Sequence, residues 1–229
     1  VFTPEILDDY ELGWRFTGEN NTLSANLYYM DYKDQLVLTG QLDDSGGFIR
    51  ETSGKSYRAG LEVEGDFRVL QQLHVRPNIA LSSNKNKDYT TSRDGELVNL
   101  GTTNISFSPS FIAGNSIDYS PKQNLQIALL SKYVGEQYLG NIDSQTSKLD
   151  AYFLNDFSVN YTITKLSFAK SLVLQGLVNN IFDVKYISNG YFYTYDDDFS
   201  TPGTVTTIEG AGFYPQAGIN FLVGATLTF

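Results

Sequence analysis

The stretch Gly212-Phe213-Tyr214-Pro215-Gln216-Ala217-Gly218-Ile219-Asn220-Phe221-Leu222-Val223-Gly224-Ala225-Thr226-Leu227-Thr228-Phe229 decides the class of fold. Its odd positions, from Phe213 through Phe221, Val223 and Leu227 to Phe229, are apolar; its even positions, among them Gln216, Gly218, Asn220, Gly224, Thr226 and Thr228, are mostly small or polar. Successive side chains of a strand point to opposite faces, so one face is greasy and the other is not. A period of two held over roughly 17 residues predicts one strand much longer than the usual five or six, long enough to cross a bilayer at a tilt. Alternation alone also fits a soluble sandwich with one packed and one wet face.

Composition narrows the choice. Of 229 residues 41% are hydrophobic and 14% aromatic, with 16 Tyr, 15 Phe and 20 Gly, which points to an all-β chain. No run of about 18 apolar residues occurs, so a transmembrane helix is excluded, whereas a barrel, whose apolar residues are diluted by alternation, is not. The absence of cysteine removes disulfides and thiolate metal sites and leaves the compartment undecided. A net charge of −10 argues against a nucleic-acid partner. His74 is the one histidine, which excludes a multi-histidine zinc site and reads as a lumen or surface residue. There is no nucleophile-elbow pattern, which argues against a hydrolase, and no other catalytic constellation stands out; the expectation is no enzyme and no cofactor. No basic, apolar leader opens the sequence, and the expectation is a chain that starts after a processed region or inside something longer.

Taken in order, Ile6 to Thr17 alternates as a first strand, Gly18-Glu19-Asn20-Asn21 is a turn, and a second strand holds Leu23, Ala25, Leu27 and Tyr29 and runs on towards Leu42. Asp43 to Gly54 reads as a loop. Tyr57 to Val69 is the third strand, with Arg58, Glu62, Glu64, Asp66 and Arg68 sharing one face. The fourth carries Leu73, Val75, Ile79 and Leu81, with Pro77 out of place because it belongs at an edge or a bulge. Ser82 to Gly101 reads as a loop, Thr103 to Tyr119 as strand five bent at Pro109 or near Gly114, and Leu125 to Tyr133 as strand six. Strand seven runs from Leu149 to Ile163 and strand eight from Leu172 to about Tyr186, with its facing open; Ile187 to Ala211 reads as the longest loop.

This makes about nine long strands whose joints alternate short (near residues 18, 71, 122 and 167) and long (near 48, 92, 144 and 199). Outer-membrane barrels have this asymmetry of brief inner turns and extended outer loops. In lipid every backbone donor and acceptor must be paired within the protein, and a closed sheet achieves that. The apolar face then meets lipid and the polar face the lumen, with Tyr10, Tyr57, Tyr133, Tyr161 and Tyr186 in the interfacial girdles. Single-chain bacterial barrels have even strand numbers, so about nine strands look like a piece of a larger wall.

The stretch Leu177-Val178-Asn179-Asn180-Ile181-Phe182-Asp183-Val184-Lys185-Tyr186, the opening Pro4-Glu5-Ile6-Leu7-Asp8-Asp9-Tyr10-Glu11-Leu12-Gly13-Trp14-Arg15, the segment Tyr57-Arg58-Ala59-Gly60-Leu61-Glu62-Val63-Glu64-Gly65 and the last strand together resemble the carboxy-terminal part of a TonB-dependent outer-membrane receptor, in a style resembling the Bacteroidetes type. The chain's end is similar to the assembly signal of outer-membrane barrels, carried here by Gly224, Leu227 and Phe229, although Leu222 departs from its usual polar residue. The resemblance implies an all-β, antiparallel up-and-down barrel of 22 strands, of which this chain supplies about the last nine. It implies a plug domain, a TonB box, and import of a scarce nutrient, most commonly a ferric siderophore, driven by the TonB, ExbB and ExbD complex. Outer-membrane lipid and lipopolysaccharide would surround the wall. The rival readings are a soluble or surface β-sandwich for adhesion or glycan binding, and a small self-contained barrel.

Site candidates follow. Tyr191, Phe192, Tyr193, Tyr195 and Phe199 are an aromatic cluster suited to packing a siderophore or sugar, or else to packing the loop itself. Asp196, Asp197 and Asp198 are a weak candidate for a hard cation, the plainer reading being a solvated loop tip. Arg58, Glu62, Glu64, Asp66 and Arg68 would line the lumen and hold the plug, or pair among themselves across strands.

Overall fold

The computed structural model describes residues 4–42, 48–52, 54–164 and 166–229. In chain order the strands are β1 (Ile6–Thr17), β2 (Asn21–Lys33), β3 (Leu36–Leu42), β4 (Phe48–Thr52), β5 (Lys55–Leu70), β6 (Leu73–Lys87), β7 (Thr90–Arg93), β8 (Glu96–Asn99), β9 (Thr103–Asn104), β10 (Phe111–Lys122), β11 (Leu125–Val134), β12 (Gln137–Tyr138), β13 (Lys148–Leu149), β14 (Tyr152–Ile163), β15 (Ser171–Asn179), β16 (Ile187–Asp197), β17 (Thr206–Pro215) and β18 (Asn220–Thr228). Nine of these, β1-β2-β5-β6-β10-β11-β14-β15-β18, pair in that order as one antiparallel meander, with β9 beside β6. Hairpins β3–β4, β7–β8, β12–β13 and β16–β17 occupy the four connections at one end. At the other end the strands are joined by three, two, two and seven residues, the short joints the sequence predicts.

The register shows why the alternation matters. Directly opposed residues Arg15, Ser24, Glu64, Asn78, Gly114 and Lys132 form one cross-strand row from β1 to β11. The next row up is Trp14, Ala25, Val63, Ile79, Ala113, Tyr133 and Phe153. Polar and apolar rows thus belong to opposite faces of the whole sheet. The facing of β15, open in the sequence, is settled by its partners: Leu174 lies between Tyr161 and Ala225, and Gln175 between Asn160 and Gly224.

Among the described residues nothing packs on the apolar face. Leu12 is 70% and Val223 81% exposed, and the described buried hydrophobics are Tyr89, Ile105, Val134, Leu139, Leu149 and Phe192, towards the end that carries the hairpins. A sandwich would bury its apolar rows against a second sheet; here they form the outside of a single layer, and the sandwich reading is overturned. Tyr29, Tyr57, Phe111 and Tyr133 line the upper margin of this face, Tyr29 stacking on Tyr57 at 6.0 Å and Phe111 meeting Tyr133 at 5.4 Å. Tyr186 lies outside any strand and packs on Tyr152 instead, at 4.7 Å.

The last stretch is not one strand. Gly212–Pro215 belongs to β17, and β18 starts at Asn220. Strand eight breaks correspondingly after Asn179, so Ile187–Ala211 is mostly a hairpin rather than a loop. The break is built by two residues of the motif that carries the family resemblance. Asn180 and Asp183 have φ of 50° and 51°, a left-handed conformation that short polar side chains tolerate. The Asn180 amide donates to the Val184 and Ala217 carbonyls, at 2.9 and 3.4 Å, and its oxygen accepts from Val184 N at 2.9 Å. The Asp183 carboxylate accepts from Ile219 N at 2.8 Å and pairs with Lys185, and a Cβ at Gly218 would collide with it.

Other boundaries also move. β2 ends at Lys33, and its expected run-on is the separate strand β3; within the predicted loop Asp43–Gly54, Phe48–Thr52 is strand and residues 43–47 and 53 lie outside the described residues. β6 continues to Lys87, and Thr90–Asn99 is a hairpin turning at Asp94 and Gly95, with φ of 53° and 80°. Strand five divides into β9 and β10 around residues 105–110, and strand seven into β13 and β14. Pro77 sits in an interior strand opposite Asn115. Towards β5 the ladder lapses there, between the pairs Glu64–Asn78 and Phe67–Val75, so the missing donor falls where no bond is made.

Candidate functional site: outer hairpins and polar wall face

Alternation along β16 divides the predicted aromatic cluster between two faces. Phe192 points into a small core with Leu139 and Leu149, bordered by Ile142, Ile187 and Ala211, and is 7% exposed. It packs the outer hairpins together and is withdrawn from any ligand. Tyr191, Tyr193 and Tyr195 point the other way as a row of near-parallel rings, centroids 6.3 and 6.4 Å apart, with Tyr214 6.0 Å from Tyr191. Phe199 is exposed beyond the end of β16.

The three aspartates do different things. Asp196 Oδ1 accepts from the Thr207 hydroxyl at 2.6 Å, and Oδ2 accepts from the Ser92 hydroxyl at 3.2 Å and Gly95 N at 3.1 Å. These bonds, that from Thr207 first, hold its carboxyl below the ordinary carboxylate range. Asp197 caps the next turn, accepting from Phe199 N and Ser200 N at 3.1 and 3.0 Å, and is lowered chiefly by Ser200. Asp198 is exposed. Among the described residues no three His, Cys, Asp or Glu side chains converge as a metal site.

The bonds around Asp196 form part of a latch between hairpins far apart in sequence. Asp94 N donates to the Thr207 hydroxyl and Asp94 Oδ1 accepts from Thr207 N, both at 2.7 Å. Arg93 pairs with Glu209 at 3.0 Å, and the Ser144 hydroxyl donates to the same carboxylate. The tip of β7–β8 and the turn at Ser144 are thereby fastened to β16–β17.

On the wall, Arg58, Glu62, Glu64 and Arg68 share the polar face, opposite Asn84, Ala80, Asn78 and His74 respectively, and Asp66 lies on the same face where the ladder lapses. Arg76 bridges Asp66 and Asp118 at 3.0 and 2.6 Å, and His74 lies 3.3 Å from Asp66. Glu64 accepts from the Ser24 hydroxyl at 2.9 Å. Cross-strand pairing therefore occupies Asp66, while Glu62 stays exposed. Of the three residues in the terminal signal, Gly224 lies on the polar face opposite Gln175, Leu227 lies on the apolar face opposite Leu172, and Phe229 follows β18 fully in the open.

A further feature is not flagged by the sequence. Segment 105–110 folds against the polar face at its outer end: Ile105 N donates to Asn84 O at 3.2 Å, Phe107 N to Tyr138 O at 2.8 Å, and Ser82 N to Ser110 O at 2.8 Å. Arg58 donates to the Ser108 hydroxyl at 3.0 Å. Phe107 is held at φ 52° with its ring 43% exposed, a costly conformation for a bulky residue. It borders a groove of about 350 Å3 with Tyr28, Met30, Arg58, Glu62 and Ile112. The signal that points here is Ser106-Phe107-Ser108-Pro109-Ser110, polar on both sides of an isolated ring and closed by a proline.

A single antiparallel layer with an open apolar face, a polar opposite face and hairpins elaborated at one end defines the wall of a transmembrane β-barrel of the bacterial outer membrane. Comparison with known proteins gives the family. Residues 1–181 match the family described as "TonB dependent receptor-like, beta-barrel", and the chain belongs to it, a family of transporters rather than enzymes. The "Ferrioxamine receptor" of Yersinia enterocolitica is 26% identical over 198 residues, 85% of this chain and 26% of that protein. Among solved structures, the closed form of the ferric-catecholate import receptor Fiu from E. coli K12 superposes with a TM-score of 0.67 at 16% identity, covering 100% of this chain and 28% of that one. The copper transporter OprC superposes at 0.66 and 16% identity, covering 100% and 32%. The chain thus spans about a quarter to a third of the relatives' length.

Proposed function

We propose that this chain supplies part of the wall of an outer-membrane active transporter that imports an iron chelate and is energised by TonB. The observation that supports the cargo most is the likeness to the ferrioxamine receptor over 85% of the chain. Fiu, the ferric-catecholate receptor, shares the fold, and so does a copper transporter, so the wall by itself fits more than one cargo. In this reading the remaining strands close the barrel, a plug fills it, and the TonB, ExbB and ExbD complex pulls on the plug. The exposed carboxylates Glu62 and Glu64, with Arg58 and Arg68, hold the plug, while Asp66 is paired within the wall. The groove of Tyr28, Arg58 and Phe107 lies at the outer end of the polar face, where incoming cargo arrives.

The experiment is radioactive-iron uptake by cells that carry or lack the gene, supplied in turn with a ferric hydroxamate and a ferric catecholate. Deleting the gene should abolish uptake of one chelate class, and deleting TonB in the parent should give the same loss. Uptake of every chelate unchanged by the gene's removal would refute the iron reading.

A further inference from the structure

Seven described residues other than glycine have positive φ, and six of them, Asp34, Asp88, Asp94, Asp143, Asn180 and Asp183, are aspartate or asparagine. Short polar side chains bond to nearby backbone and tolerate that conformation. The seventh is Phe107, at φ 52°, whose ring offers no such bond. A bulky residue stays in the left-handed region only where its surroundings over-determine it, and outliers of this kind gather at ligand clamps.

The surroundings hold Phe107 from both sides. Ser106 N donates to Asn141 Oδ1 and Phe107 N to Tyr138 O, both at 2.8 Å. The Ser108 hydroxyl donates to Ser106 O and accepts from Arg58, both at 3.0 Å. The Ser82 hydroxyl donates to Pro109 O at 3.2 Å. Asn141 stands apart among these partners, because it does not line the groove beside the ring. It is 4% exposed on the loop after β12 and is itself held. The fully buried Asn86 amide donates to Thr103 Oγ1, Asn104 O and Asn141 Oδ1, at 3.2, 3.3 and 3.5 Å. Two residues beyond Asn141, Asp143 accepts from the backbone and side-chain nitrogens of Asn104 at 2.8 and 3.0 Å. One amide knot therefore ties β6, residues 103–108 and the loop after β12 together, and the backbone of Phe107 is fixed by it.

We propose that Phe107 is a pre-formed stacking platform for the flat, π-bonded arms of an iron chelate, a catechol ring or a hydroxamate plane, and that Asn141 is the positioning residue that keeps it presented. The proposal rests on the importer reading above and adds which residues set affinity. The ring is 43% exposed beside the groove of about 350 Å3, with Tyr28, Met30 and Ile112 among its neighbours there. A Cβ at Gly60 would strike the Tyr28 hydroxyl and Leu81 O, so the absent side chain lets the Tyr28 phenol lie across β5. A ring on a loose loop gives up conformational freedom when a ligand stacks on it. A ring already fixed by buried amides has none left to give up, which tightens binding without a new contact.

The test measures iron uptake by cells carrying the complete receptor, supplied with a ferric trihydroxamate and a ferric triscatecholate, with KM and kcat taken for the chelate whose uptake the gene's deletion abolishes. Phe107→Gly should raise KM several-fold with kcat kept, and Phe107→Tyr, which retains the ring, should stay near native. Asn141→Ala should raise KM about as much as Phe107→Gly, and the double variant should be no worse than Phe107→Gly alone, because both changes remove one platform. Additive losses, or a fall in kcat in place of the rise in KM, would overturn the role of Asn141. Unchanged KM in every variant, with uptake still abolished by gene deletion, would overturn the platform and leave the importer reading standing; uptake of both chelates that survives the deletion would overturn the importer reading and the platform with it. In parallel, amide hydrogen exchange of residues 103–110 is followed in purified native receptor with and without each chelate. Exchange should be slow in the free receptor and unchanged by the chelate. Fast exchange that the chelate slows would mean that the ligand orders the segment, and would overturn pre-formation. That measurement needs no variant, so it decides the matter even if Asn141→Ala does not fold.

Discussion

Val223 and Thr226 are three residues apart on β18 and point to opposite sides of the sheet, Val223 paired with Gly176 and Thr226 with Val173. Replacing each by arginine asks which side meets hydrocarbon. β18 has nine residues, and Val223 is one residue from its centre. At about 3.3 Å per residue and a tilt near 45°, that places it roughly 2 Å from mid-height. Its side chain is 81% exposed on the apolar face, so Val223→Arg puts a guanidinium into the middle of the bilayer at a cost of about 2–4 kcal/mol. That is a factor of roughly 30 to 1,000 in the folding equilibrium. Thr226→Arg projects from the polar face, beside Gln175 and Gly224, and should cost under about 1 kcal/mol. The assay is urea-dependent folding of the complete receptor into lipid vesicles, read by the heat-modifiable shift in gel mobility. A midpoint lowered for Val223→Arg alone is the expected result. Equal losses, or a larger loss for Thr226→Arg, would refute the assignment of faces.

Three further outcomes follow from the outer end of the molecule. Asn180→Ala removes the side chain that ties Val184 to Ala217 and forces alanine into a left-handed conformation, so it should lower stability by about 2–4 kcal/mol in denaturant titration; Asn180→Gly, which keeps the backbone comfortable, should cost less. Because hydrogen bonds from Thr207, Gly95 and Ser92 hold the Asp196 carboxyl below its ordinary range, the latch is fully made above about pH 4 and is lost as pH falls through the lowered folded value. Spin labels at Leu97 and Ile208 should report one short distance at pH 7 and a broad distribution in acid, and Asp196→Ala should be broad at both. Phe107→Gly relieves the left-handed backbone and should leave folded yield unchanged or slightly higher while raising the KM for uptake several-fold; an unchanged KM would remove the groove from the cargo path.

The wall was legible in the sequence because hydrocarbon imposes a simple rule on it. Ile6–Thr17 is a strand over the residues that its alternation marks, and the short turns fall where polar, turn-forming residues interrupt the period. The outer hairpins obey no such rule, since both of their faces meet water or other loops. Thr90–Asn99 therefore shows no apolar alternation, although Asp94-Gly95 is a strong hairpin signal when taken by itself. The last stretch misleads for a different reason. Phe213, Pro215, Ala217 and Ile219 keep the parity of β18, whereas the break between them is imposed by Asn180 and Asp183, more than thirty residues upstream. The aromatic cluster was visible as composition; its division was implicit in Tyr191-Phe192-Tyr193-Thr194-Tyr195 once that run is treated as strand. Nothing local in Asp196 announces Ser92 or Gly95 as its partners. Such long-range loop pairings come from the closure of the fold.

The account depends most on lipid covering one side of this sheet and water the other. The chain contains no cysteine, so single cysteines can be placed at Val63, Ile79 and Val223 on one face and at Glu64, Asn78 and Thr226 on the other, then carry fluorescent labels in receptor reconstituted in vesicles. Brominated lipids should quench the first three labels and leave the second three to aqueous iodide. Quenching by iodide at Val63, Ile79 and Val223, or the same response at all six positions, would contradict the account.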